Sequence, residues 1–451
     1  MKLSALGSAT FFTHTESARL LAPARRRPNE RLRLAVVGCG GMGKSDLDGC
    51  MGEEIVALCD VDTKMAEAAR AQCKEARFYA DWRDLLEAEA DLDGVVVSTP
   101  DHSHAPIAAA AMRRKLAVRV QKPLTHTVAE ARLLASLERE MGVVTQMGNQ
   151  GTAMDGFREG TEVLRSGAIG DVHTVHVWTN RPIWKQGQPR PDGAEIIPEN
   201  LRWDLFLGPA PYRPFHSGYH PFHWRGFWDF GTGALGDMAC HLMNLAFSGL
   251  ELGAPDSVRV EAQDAKNDET APTKSILRYA FPARGKWGPV ELVWYDGGHR
   301  PPQALLPADT KWSAGGSIFV GSEGVMYVDD DYGARYRLLP DDKFGAYRPP
   351  TPFLPRVPMV MGADGKPRPS WQITAEWLAA IRGEGQTSSG FARYAGPFTE
   401  AVLLGNVALR AGGELRWDAG AMRVKDRPEA DQLLDKRYAR GFSVRGTQVV
   451  R

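Results

Sequence analysis

The hexapeptide GCGGMG at 38–43 limits what this chain can become more than any other stretch. It follows the β-branched run LRLAVV and opens a helical pattern, so its glycines fall on a strand-to-helix turn. In that place Gly38 allows the tight turn, Gly40 lets the backbone approach a pyrophosphate, and Gly43 lets helix and strand pack closely. The spacing alone is common. Joined to Asp60, which ends the next strand about 20 residues on, it predicts a dinucleotide held along Gly38, Gly40, Gly41, Met42 and Gly43. A carboxylate at 60 accepts from a ribose 2′-hydroxyl and repels a 2′-phosphate, which favours NAD over NADP. The plain alternative for Asp60 is a helix cap ahead of Thr63.

The surrounding pattern agrees with that turn. LRLAVVG, EIVALCD, DLDGVVVSTP, LAVRVQKP and VVTQMG read as strands buried on both faces, with helical segments near 43–52, 63–73, 102–114 and 127–141 between them. This is the rhythm of a doubly wound parallel sheet of Rossmann type over 31–150. Beyond 150 come a helix, a long strand, a loop-rich aromatic stretch and a helix over 234–248. Strands near 257–263, 274–281, 289–295, 316–320 and 324–328 then follow without helices between them. The fold class expected is therefore α/β, with a C-terminal α+β domain over 151–451 built on a mostly antiparallel open sheet. Helices from about 396 are expected to pack back on the first domain.

A length of 451 residues suits two such domains. Lys+Arg and Asp+Glu are both 55, so no basic field points to nucleic acid. No apolar run reaches the length of a membrane span. The five cysteines are scattered, without a CxxC pair, which argues against a zinc ribbon or a disulfide framework. Residues 1–30 carry a leader-like or disordered segment. Its KLSALGSA looks like the apolar part of a twin-arginine export signal, without the arginine pair that should precede it. An exported, periplasmic protein is expected if such a leader lies upstream of Met1, and a cytoplasmic one otherwise.

A lysine in QKP, 121–123, ends the strand LAVRV. Ligands of open α/β sheets sit outside the carboxyl ends of strands, and Pro123 holds Lys122 extended, so Lys122 is aimed at the crevice. A solvated lysine at a turn is the alternative. Further on, GTGALGDMACH places Asp237 and His241 four residues apart on one helix face. PYRPFHSGYHPFHWRGFWDFG, 211–231, is dense in rings and reads as a substrate wall that includes Tyr219, His220, His223, Trp224 and Arg225. A packed loop over the sheet is its alternative. Trp184 and Asn149 are further pocket candidates. His216, His220 and His223 have spacing that suits a metal, but Gly218 and Pro221 spoil a helical presentation, and no metal is assigned.

With these residues in hand, the chain resembles the Gfo/Idh/MocA oxidoreductases, the family of glucose-fructose oxidoreductase and inositol dehydrogenase. The resemblance covers about 31–440 and rests on the fingerprint at 38–43, STPDHSHAP at 98–106, QKP at 121–123 and the D-x-x-x-H at 237–241. PNERLRLAVVG, WYDGG and LLGNVALR look like a branch whose members often carry twin-arginine leaders. The resemblance implies that Lys122, Asp237 and His241 form the catalytic set, and that Thr99, Pro100, His104, Gln121 and Lys122 lie beside the cofactor. It also implies a homo-oligomer, dimer or tetramer. Gln121 departs from the usual EKP and loses a charge there.

The activity implied is hydride transfer between NAD and a secondary alcohol of a sugar, glycoside or cyclitol. His241 would take the hydroxyl proton and Lys122 would bond the same oxygen. Two other readings stand beside it. One is a redox-neutral enzyme that cleaves or epimerises glycosides with tightly retained NAD; the other is a non-catalytic NAD-sensing protein.

Overall fold

The structure, a computed structural model, describes residues 30–444. Apart from Glu30, the leader-like segment lies outside the described residues. The first unit runs β1 (Arg33–Val37), α1 (Met42–Gly49), β2 (Glu54–Cys59), α2 (Glu67–Gln72), β3 (Arg77–Tyr79), α3 (Trp82–Ala88), β4 (Gly94–Val97), α4 (Asp101–Arg113), β5 (Ala117–Val120), α5 (Val128–Met141) and β6 (Thr145–Met147). Its strands form one parallel sheet in the order β3-β2-β1-β4-β5-β6. The chain starts in the middle, winds outward to β3, and crosses back to β4. The switch in direction therefore lies between β1 and β4, and a crevice opens where their carboxyl ends part.

The second unit runs α6 (Asp155–Arg165), β7 (Val172–Thr179), α7 (Trp203–Leu207), α8 (Gly233–Leu242), α9 (Asn244–Gly249), β8 (Ser257–Gln263), β9 (Ser275–Phe281), β10 (Val290–Tyr295), β11 (Gly315–Gly321), β12 (Val325–Val328), β13 (Arg337–Leu339) and α10 (Asp341–Phe344). It closes with α11 (Pro369–Ile381), α12 (Gly396–Ala411), β14 (Glu414–Asp418) and β15 (Arg423–Val424). Nine strands make its sheet, ordered β13-β12-β11-β7-β10-β9-β8-β14-β15. Helix α12 packs against α5 of the first unit as well as α8 and β8 of the second, and α11 lies on α1. No helix among the described residues is long and apolar enough to cross a membrane.

Three features differ from the sequence reading. β3, α3, α7, β13, α10, α11, β14 and β15 are additional elements; β3 is only three residues long, too short for a period to show. The helix expected over 234–248 breaks at Met243, where Tyr394 donates its hydroxyl to both the carbonyl and the side-chain oxygen of Asn244. The second sheet is mostly antiparallel, but β7 and β10 pair in parallel. Between Thr179 and Val290 the chain builds the loops over the crevice, α7 to α9 and the β8–β9 hairpin before it returns.

The first unit carries a charge pair at its centre. Arg119 on β5 and Asp46 on α1 lie 2.8 Å apart with both side chains fully buried. Asp46 also accepts from Ser98 Oγ at 2.7 Å and from the Gln121 amide at 2.8 and 3.0 Å. A buried carboxylate left without its cation is costly, about 3–5 kcal/mol when one partner of a buried pair is removed. Arg119→Met is thus expected to lower the urea-unfolding free energy by about that amount. Arg119→Met combined with Asp46→Asn, which leaves no charge to compensate, should recover much of the loss. A double variant as unstable as the single one would contradict this account.

Candidate active site

The crevice at the switch point continues into a cleft of about 530 Å³ that runs between the two units. One end is the glycine turn. Gly38 has φ of 83°, and a Cβ there would meet the Ser98 carbonyl oxygen at 2.6 Å. A Cβ on Gly43 would stand 1.9 Å from the Gly38 carbonyl oxygen, so this glycine serves the packing of turn on helix rather than the cleft itself. Nothing lies within 4 Å of a Cβ at Gly41, which faces open space at the start of α1, while a Cβ at Gly40 would meet the Met65 side chain at 2.8 Å. Backbone N–H groups at a helix start suit an anion.

Asp60 also lines the cleft, with its carboxylate accepting from Cys39 N at 2.8 Å and Asp62 N at 3.0 Å. It braces the glycine turn from the next strand. The cap ahead of the following segment is Asp62, which accepts from Lys64 N and Met65 N. Thr99 and Pro100 line the cleft beyond, and Thr99 Oγ1 is buried without a hydrogen-bond partner among the described residues. A cradle of backbone, a carboxylate beside it and an orphaned hydroxyl together fit a dinucleotide.

Lys122 stands where β5 ends, and its peptide bond to Pro123 is cis. Its Nζ meets Asp237 Oδ1 at 2.5 Å and the Asp237 carbonyl at 3.2 Å. The same carboxylate oxygen lies 3.2 Å from Arg225 Nε. Arg225 in turn reaches both oxygens of Asp101 at 3.0 Å, and Thr232 Oγ1 donates to Asp101 at 2.7 Å. Burial alone would raise the Asp237 carboxyl, but Lys122 and Arg225 hold it well below the usual carboxylate range.

His241, one turn along α8 from Asp237, is buried at the same end of the cleft and packs edge-on against Tyr332 with centroids 5.0 Å apart. Its Nδ1 lies 3.0 Å from Asn149 Oδ1. With the amide oxygen facing it, Nδ1 carries the proton and Nε2 is left as the acceptor. Burial, and then the Lys122 charge, lower the imidazole from its ordinary 6.5 to about 3. The ring is a neutral base held beside two cations.

The other residues read from the sequence divide. Gln121, Trp184, His220, Trp224 and Arg225 line the cleft, with the Arg225 guanidinium 4.4 Å from the Trp224 ring centre. His220 faces the cofactor end, its Nε2 2.7 Å from Asp62. Asn149 acts on His241 from behind and does not line the cleft. His104 is a correction: its ring is wedged between the carbonyls of Thr99 and Pro123, at 2.7 and 2.9 Å, under the cleft rather than in it. Tyr219 is another, because it is buried among Trp203, Phe227 and Phe230 in a separate aromatic cluster. His223 is a third, turned outward to accept from Lys185 N. Thus 211–231 is part wall and part packed loop. His216, His220 and His223 point to Glu195, Asp62 and Lys185 and do not converge.

Arg181, Asp331 and Tyr332 line the cleft beside His241 and were not found from the sequence. They stand on loops after β7 and β12. The only local signal is the acidic run DDDYG at 329–333, which reads equally well as a surface turn.

Comparison with known proteins agrees with this geometry. The model of an oxidoreductase family with an NAD-binding Rossmann fold, Gfo/Idh/MocA, matches residues 32–149, and the model of that family's C-terminal alpha/beta domain matches 168–283. Inositol 2-dehydrogenase 1 of Saccharopolyspora erythraea is 33% identical over 154 residues, 32% of this chain and 45% of that protein. The match therefore spans less than half the length of that relative. Among solved structures, the WlbA dehydrogenase of Bordetella pertussis in complex with NADH and UDP-GlcNAcA has a TM-score of 0.59 at 17% identity, covering 86% of this chain and 99% of that one. An inositol dehydrogenase homolog of Azotobacter vinelandii, complexed with NADH and myo-inositol, has a TM-score of 0.57 at 16% identity, covering 87% and 100%. On both domains together, the chain belongs to the Gfo/Idh/MocA family of oxidoreductases.

Proposed function

We propose that this protein oxidises a secondary alcohol of a sugar, glycoside or cyclitol, with NAD bound in the cleft and Lys122, Asp237 and His241 around the reacting carbon. The observation that carries the reading is the neutral His241 imidazole, with Nε2 free of the Asn149 contact, in the cleft that holds the Lys122–Asp237 pair. When bound, the nicotinamide supplies the hydride acceptor. Nε2 of His241 takes the hydroxyl proton, Lys122 donates to the oxygen as negative charge grows on it, and Asp237 faces the imidazolium that forms. Trp184 and Trp224 offer ring faces for sugar C–H surfaces and Arg225 stiffens that wall. Asp60 supports NAD over NADP. The inositol and sugar-nucleotide ligands of the structural relatives belong to the same polyol class.

A second reading, retained cofactor with no net redox change, is favoured by the C-terminal segment. Phe442 lines the cleft at its glycine end, tilted against Trp82 with ring centroids 6.4 Å apart and under the Arg83 guanidinium, 4.9 Å away. Arg440 fastens the segment to the carbonyls of Gly208 and Ala210. A strap of this kind slows cofactor release.

In the protein with NAD, sugars and cyclitols are expected to produce NADH absorbance, and His241→Ala should slow it by roughly 10²- to 10⁴-fold with NAD binding intact. Unchanged turnover in that variant sinks the assignment. Mass spectrometry of the protein as purified separates the two readings: near-stoichiometric NAD(H) supports the retained cofactor, and an empty, reversible site supports the exchanging dehydrogenase.

The histidine makes a separate prediction. Because its folded pKa lies below the ordinary value, the ring remains neutral, and competent as a base, when pH falls through 6.5. Its NMR resonance should stay flat from pH 8 to about 5, and Lys122→Met, which removes a cation, should move the titration upward. A midpoint near 6.5 in the unaltered protein would refute the depressed value.

A further inference from the structure

A second cavity, of about 240 Å³, lies behind the catalytic helix, between the last turn of α12, the turn at Trp228–Thr232 and the segment 432–437. That is room for several waters or a small ligand. It is walled by groups without partners. Arg410, a half-buried residue, carries its guanidinium there, 5.5 Å over the Trp228 ring, and makes no hydrogen bond or ion pair with any described residue. Asp229 and Asp268 act on it only through space. Among the described residues, Trp228 Nε1, on a residue 6% exposed, has no acceptor, and Asn406 Oδ1, on a residue 7% exposed, has no donor.

The other charges at this cavity are already engaged, apart from Arg437, which lines it from an exposed position. Asp229 is paired with Arg213, Lys436 lies 2.8 Å from Glu130, and Asp435 accepts from Lys436 N at 2.8 Å. Beside the exposed Arg437, one half-buried cation, one N–H donor and one acceptor therefore remain unmatched among the described residues. A half-buried guanidinium without a counter-charge, beside orphaned polar atoms at a cavity with room for ligand atoms, calls for a complement.

We propose that this cavity is a binding site for a small oxyanion that also carries a hydroxyl, a hydroxycarboxylate or phosphate, held by Arg410 and Trp228 Nε1 and donating to Asn406. A planar guanidinium matches the paired oxygens of such a group. The position is separate from the cofactor cleft, yet adjoins it. The Asn406 amide donates to the Thr232 carbonyl at 2.9 Å, and Thr232 Oγ1 holds the Asp101 that anchors Arg225.

The test is thermal unfolding of the full chain with saturating NAD, which occupies the anion-binding glycine turn, against increasing D-glycerate, inorganic phosphate, or glycerol as a neutral control. One or both anions should raise Tm in a saturable way and glycerol should not; which anion acts identifies the source of the oxyanion. Arg410→Gln should weaken that effect about 10- to 100-fold, the worth of a charged hydrogen-bonded contact. Trp228→Phe, which keeps the ring and loses the donor, should weaken it several-fold and covers the case of an unfolded Arg410 variant. His241→Ala should leave it intact. No stabilisation by either anion, or equal stabilisation in Arg410→Gln and Trp228→Phe, overturns the proposal. So does a change of oligomeric mass in Arg410→Gln without any anion effect in the parent protein, which would make Arg410 a subunit contact.

Discussion

The Lys122–Asp237 ion pair joins the end of β5 in one unit to α8 in the other, and the geometry of the cleft hangs on it. Two charges taken out of water repay their desolvation only when geometry is close and the remaining hydrogen-bonding capacity is met. Both conditions hold. Asp237 accepts from Lys122 at 2.5 Å and faces Arg225 at 3.2 Å, while Arg225 passes to Asp101. Two cations and two carboxylates make a neutral group, so none of its members is left uncompensated. The consequence is mutual orientation of the two units at the point where a reacting carbon would lie.

A second neutral cluster stands directly behind the first. Asp46, Arg119, Ser98 and Gln121 meet under the glycine turn. This explains the departure of QKP from the family's EKP. The Gln121 amide donates to both oxygens of Asp46, so the site has its carboxylate, supplied from α1. A Glu at 121 would set a second anion within hydrogen-bonding distance of the first, with Arg119 as the one cation available to both. The lost charge at 121 is thus a consequence of where the neighbouring charge sits.

What could be read from the chain was what local chemistry dictates. The glycine turn, Asp60, Lys122 and the Asp237/His241 face are each fixed by a few residues and the element they stand on. Most long strands and helices were legible for the same reason, the 13-residue α11 excepted. Tyr332, Asp331 and Arg181 reach the site on loops from distant parts of the second sheet, and no period marks a loop. The ring-dense stretch misled because aromatics build walls and cores alike: Trp224 faces the cleft while Tyr219, five residues earlier, is sealed among other rings. His104 shows the related ambiguity for polar residues, since a histidine that props two carbonyls under a site looks in sequence like one that touches its ligand.

The charge balance also bears on the proposed chemistry. A base flanked by Lys122 and Arg225 is weak in the resting site, where its pKa lies at about 3. In the oxidation proposed, however, the alkoxide forms as the proton leaves, and Lys122 then faces a nearer, growing negative charge. Its repulsion of the imidazolium is offset by that new anion, while Asp237 remains beside both. The same ion pair therefore disfavours a proton on His241 before reaction and tolerates one during it. An arrangement that strengthens as charge develops, and is neutral beforehand, lowers the barrier without tightening the ground state.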